Sequence, residues 1–217
     1  MRFIYMIPAA LLVPAIHEWV KALCSTMQGD QTPKNTGRLS LNPIKHMEPI
    51  GFMFILLFGF GWGRPVETAT LHYKNRSLGV VITHTVPILI NLVLGITAAI
   101  AVVILSGGQG MMPHAVFFAL ESFPFMPPDV QIFGLILLAH FAFININFAL
   151  FNLIPIYPLA TNRLLLHFSR PDTIARLNHY EKPMQMILIL LLLFNLLDRA
   201  IIPITVRILF FAWGFIA

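Results

Sequence analysis

The chain has 217 residues, of which 58% are apolar and only 11% are Asp, Glu, Lys or Arg. Soluble domains carry about 25% charged residues, so this composition, with a mean hydropathy of +0.81, excludes a soluble enzyme, a disordered tail and a nucleic-acid binder. The net charge of +5 then reads as Lys and Arg in cytoplasmic loops, and the single Cys24 excludes an internal disulfide and a cysteine-rich zinc module.

A helix needs about 20 mostly apolar residues to cross a 30 Å hydrocarbon core. Residues 3–23 qualify, with His17, Glu18 and Lys21 near their end. A Glu-Lys pair there argues against a cleaved secretory leader. The next apolar run, 49–62, contains several glycines and reaches only about 21 Å at 1.5 Å per residue. Residues 78–105 form a long span, and 131–154 another that contains Asn145, Asn147 and Asn152. The stretch 183–217 is apolar but interrupted by Asp198, Arg199, Pro203 and Arg207, and reads as one span followed by a broken or interfacial tail. The Phe-rich runs around Phe54, Phe117 and Phe210 read as lipid contacts, and 113–128 as an outer-surface loop or short interfacial helix.

Charge sets the sides. Segments 24–48, 63–77 and 155–182 hold most of the Lys and Arg, whereas 106–130 has none but carries Glu121 and Asp129. The three basic segments belong in the cytoplasm and 106–130 outside. That arrangement requires 49–62 to dip into the membrane and return, as its length also implies. The expected fold is an all-α integral membrane protein with three main spans, a re-entrant or interfacial hairpin and a C-terminal helix.

His17-Glu18-Trp19-Val20-Lys21 is one residue away from H-E-x-x-H, in which two histidines on one helix face bind zinc and the Glu activates a water. At the end of the fourth apolar segment lies Asn152-Leu153-Ile154-Pro155-Ile156-Tyr157-Pro158-Leu159-Ala160-Thr161-Asn162-Arg163. Together with the block from Arg38 to Gly51 and Gly61-Trp62-Gly63-Arg64-Pro65-Val66, these motifs resemble the site-2 proteases, intramembrane zinc metalloproteases, in their compact bacterial form. The resemblance covers about residues 10–165 in order and spacing, leaving 166–217 as a linker and C-terminal membrane helix. It implies a multi-pass protein of the bacterial plasma membrane. Asn152, Pro155, Pro158 and Leu159 fit the family's N-x-x-P-x-x-P-L-D-G signature, whose Asp is the third zinc ligand. By this resemblance His17 is a vestigial ligand and Glu18 a vestigial base.

The departures fall on the metal site. Lys21 stands where the second histidine ligand belongs, and Ala160 where the aspartate belongs. Val86-Pro87-Ile88-Leu89-Ile90-Asn91 keeps only a Leu and the Asn of the family's A-G-P-L-x-N pattern. A catalytic zinc takes three protein ligands and an open position, and His17 alone cannot supply them. The expectation is therefore no cofactor, with zinc present only if another ligand such as His84 or His167 completes the site; His46 and His140 are further histidines within the resembling region. Lys21, three residues after Glu18, either pairs with it or snorkels to the interface.

The resemblance and its departures together imply a pseudoprotease. It would bind or regulate a transmembrane partner, or an active protease, through a groove near Asn145, Asn152, Pro155 and Pro158. The alternatives are an active zinc protease with substituted ligands and a structural or transport subunit.

Overall fold

A computed structural model describes residues 2–106 and 130–214. Every regular element among them is helical. Helices α1 (Arg2–Met27), α5 (Arg76–Leu105) and α6 (Val130–Phe151) are long and apolar enough to cross a membrane. The architecture is that of an all-α membrane protein. The stretch expected on the outer surface, including 113–128, Phe117, His114, Glu121 and Asp129, lies outside the described residues.

The three long helices pack pairwise into one bundle. Its core takes Met6, Ala9, Ala10 and Val13 from α1, Ala98 and Ala99 from α5, and Ala142, Ile144, Ile146 and Phe148 from α6. Alanine supplies half of these positions, where close van der Waals approach replaces the apolar drive that lipid does not give between helices. Gly95 shows how close: a Cβ there would lie 2.5 Å from the Ile146 side chain and 3.1 Å from the Ala142 carbonyl. Pro8 and Pro14 remain inside α1 and Pro87 inside α5, as spanning helices tolerate when neighbours re-satisfy freed backbone groups.

Two short helical turns, α2 (Thr32–Asn35) and α3 (Pro43–His46), lead into α4 (Pro49–Phe58). Glu48 caps α4 at its start, and Gly59, left-handed at φ 77°, ends it. At ten residues, α4 is about 15 Å long, half a hydrocarbon core. The chain then folds back along it. A Cβ on Gly51 would lie 2.1 Å from the Trp62 carbonyl oxygen, and one on Gly61 the same distance from the Gly51 carbonyl oxygen. Segment 49–62 therefore turns back on itself, as its length required. Phe60 and Trp62 of the return arm bury against Phe54, Phe151, Leu159, Leu188 and Leu192.

Beyond α6 come α7 (Ala160–Phe168), α8 (Pro171–His179), α9 (Glu181–Leu193) and α10 (Leu196–Gly214). The last two meet at 69°, around Asn195 at φ 54°. The break precedes Asp198 and Arg199, where the sequence marked an interruption. Within α10 the Thr205 hydroxyl donates to Asn147 Oδ1 of α6 at 2.6 Å, which ties this pair of helices to the bundle.

Candidate functional site

His17, Glu18 and Lys21 follow Pro14 in the C-terminal half of α1, and all three are at least nine-tenths buried. The His17 ring packs edge-on against Phe148, its centroid 5.1 Å away. Its Nδ1 lies 2.8 Å from Asn91 Oδ1 of α5, Asn91 Nδ2 donates to Asn145 Oδ1 of α6 at 2.9 Å, and Asn145 Nδ2 donates to the Phe141 carbonyl at 2.8 Å. That carbonyl can only accept, so the donor direction is set along the whole row. Neutral His17 carries its proton on Nδ1 and keeps the lone pair on Nε2. Asn145, assigned to a groove by resemblance, spends its side chain joining two helices.

Glu18 and Lys21 form a buried pair, Nζ to Oε2 at 3.4 Å. Of the two readings open from sequence, pairing is the one observed. The same carboxylate oxygen accepts the Val66 backbone N–H at 2.6 Å, so Glu18 also anchors the arm returning from α4. Arg38 holds that arm from the other side: its guanidinium donates to the carbonyls of Lys45 and Arg64. His46 belongs to this scaffold. Its Nε2 lies 2.6 Å from the Ser40 carbonyl and its own carbonyl accepts from Arg64 N–H. Burial lowers its pKa, outweighing that carbonyl contact.

Asp30, just after α1, is a structural centre that sequence reasoning missed. Fully buried, it accepts from the Ser25 hydroxyl, the Thr32 N–H and the Ala69 N–H, each at 2.8 Å. Ser25 in turn bonds the Tyr73 hydroxyl at 2.9 Å. Burial alone would raise the Asp30 carboxyl, but these donors outweigh it and hold the pKa below the ordinary 3.8. The one available signal was an acid in a turn (Gly29-Asp30) of a chain with nine acids.

Lys21 and Ala160 line one cavity of about 420 Å³, together with His84, His167, Arg76, Arg163, Glu67 and Pro158. Asn152 shapes its wall without lining it. The Asn152 Oδ1 accepts the Ala160 N–H at 3.2 Å, and its carbonyl accepts the Thr161 hydroxyl at 2.6 Å, so the end of α6 is tied to the start of α7. Pro155 is exposed and also off the lining. The structure thus brings together Lys21, Ala160, Pro158, His84 and His167, and places Asn145, Asn152, Pro155, His46 and His140 elsewhere. His140 is buried high on α6, its Nδ1 2.8 Å from the Ile136 carbonyl.

The donor set does not fit zinc. Among the described residues, no three or more His, Cys, Asp or Glu gather where they could hold a metal ion. His17 has a lone pair to give, but an ammonium has none, and the Ala160 methyl has nothing to coordinate with.

Compared with known proteins, the chain is 29% identical over 178 residues to the Bacillus subtilis (strain 168) protein named "Putative zinc metalloprotease YwhC". The match spans 82% of this chain and 74% of that protein. No family profile and no solved structure matches the chain.

Proposed function

We propose that the protein is a catalytically silent relative of the site-2 proteases that binds a transmembrane partner, or regulates an active protease, from the bacterial plasma membrane. The observation that carries this reading is the exchange at the cavity: Lys21 and Ala160 share its wall, and the Lys21 ammonium sits against Glu18. A metalloprotease needs that carboxylate free to take a proton from metal-bound water. Here it is engaged by a cation and a backbone N–H. The likeness to the Bacillus protein over most of both chains supports metalloprotease ancestry, and the motif order within 1–165 supports the site-2 type. The groove runs past Pro158 and the loop tied down by Asn152, with 166–217 as an appended helical unit.

A working zinc protease is the competing reading, favoured by the free Nε2 lone pair on His17 and the arrival of His84 and His167 at the same cavity. Metal analysis of the purified full chain separates the two. The silent reading expects well under one zinc per chain, no cleavage of transmembrane reporter peptides, and zinc uptake only after Lys21→His and Ala160→Asp are combined. One zinc per wild-type chain, lost in His17→Ala, would overturn it.

A further inference from the structure

We infer that the cavity at Lys21 and His84 is a binding site for the phosphoryl group of a phosphomonoester. The inference rests on the metal-free reading of this site and adds the class of ligand that took the metal's place. Three fixed cations, Lys21, Arg76 and Arg163, line the cavity against one carboxylate, Glu67. A phosphomonoester dianion supplies the opposite charge and several acceptor oxygens. The volume of about 420 Å³ falls within the range of small-molecule sites, roughly 300–1,000 Å³, so there is room for a substituent beyond the phosphate.

Two buried groups make this more than a basic rim. An ammonium has three N–H donors, and among the described residues Lys21 has Glu18 Oε2, at 3.4 Å, as its acceptor. His84 is 3% exposed, and its Nδ1 has no hydrogen-bond partner among the described residues. Buried polar groups are normally satisfied, so an ammonium with N–H donors to spare on the cavity lining calls for an acceptor from outside the chain, beside an imidazole whose Nδ1 donates or accepts according to its tautomer. Nearby acids fill that role only in part, Glu67 being the one carboxylate on the lining. Glu18 is held by the Val66 N–H and does not line the cavity. Glu181 meets Arg163 at 3.5 Å in a partly exposed pair, and such pairs contribute little. His167 is turned toward Ser77 at 3.3 Å, beside the first residue of α5, Arg76. With Lys21 in the last two turns of α1 and Arg76 the first residue of α5, the proposed topology sets the cavity at headgroup depth. The phosphoryl group can therefore belong to a soluble phosphomonoester or to a phosphatidic acid headgroup.

Zinc content and binding are measured on the same detergent-purified full chain. One arm titrates inorganic phosphate at constant ionic strength by calorimetry. The other compares retention on phosphatidylcholine vesicles with and without one-tenth phosphatidic acid. Saturable one-to-one binding in the phosphate arm assigns the soluble source, and dependence on phosphatidic acid alone assigns the headgroup. Lys21→Met by itself strands a buried carboxylate, so the test variant is the neutral pair Lys21→Met with Glu18→Gln. It should keep the wild-type melting profile and lose binding more than about tenfold, with Arg76→Gln losing several-fold. A zinc-free protein that responds to neither probe, or a double variant that binds as wild type, overturns this inference alone. Stoichiometric zinc overturns the metal-free reading and this inference with it.

Discussion

His17, Asn91 and Asn145 hold a single proton arrangement because the last donor in the row faces a backbone carbonyl. Asn91 is the shared member, donating to one neighbour and accepting from the other. Asn91→Ala leaves a buried imidazole N–H and a buried amide oxygen without partners, each costing about 1–3 kcal/mol. The expected result is a clear drop in the unfolding midpoint in detergent; an unchanged midpoint would show that the row carries no stability. Asp30 is the other residue whose surroundings fix its state. Its folded pKa lies below the unfolded value of 3.8, so its contribution is complete above that pH and is lost as pH falls through the folded pKa. Wild type should lose stability as pH drops below about 4. Asp30→Asn should be less stable at pH 7 and flatter through the same window; parallel curves for the two proteins would exclude Asp30 as the source. Neither role was legible in advance. Asn91 stood out only as a remnant of a motif, and the donors to Asp30 reach from position 25 to position 69.

Among the elements, the hairpin was the most legible. Fourteen apolar residues between two basic segments cannot both cross and satisfy the charge rule, and the chain does fold back at Gly59. The close contact of its arms was less visible, because several glycines in an apolar run fit many conformations. Here Gly51 and Gly61 are where the two backbones touch. Gly51→Ala places a methyl into the Trp62 carbonyl and should push the return arm off α4, loosening the Val66 bond to Glu18. Limited proteolysis between residues 60 and 69 should then accelerate; cleavage at the wild-type rate would count against the packing described. The Asn75-Arg76-Ser77 triplet, which matches a glycosylation sequon, has a local explanation: Asn75 caps α5 by accepting the Leu78 N–H at 3.1 Å. The bend between α9 and α10 falls at a single left-handed residue, Asn195, three residues before Asp198, where with Arg199 the sequence marked the interruption.

For the molecule as a whole, the proposed topology puts every basic segment on one side. In a Cys24→Ser background, Lys34→Cys, Lys74→Cys and Arg170→Cys should label from the cytoplasmic face, and Ser106→Cys from the opposite face. Labelling of positions 34 and 74 from different faces would mean that 49–62 crosses and the topology is wrong. The sequence by itself determined the solvent, the three long spans and the short hairpin, while the positions where metal ligands are missing are what its resemblance to the site-2 proteases implies. The solvent, the spans and the hairpin depend on local length, composition or spacing. Only the tertiary structure decided that Lys21 stays buried against Glu18 and that the Val66 backbone shares its partner. Only the packing of α1, α5 and α7 brought His84 and His167 beside Lys21 and Ala160. These residues come from three helices and lie up to 146 positions apart in the chain, and packing rather than any local pattern sets where they converge.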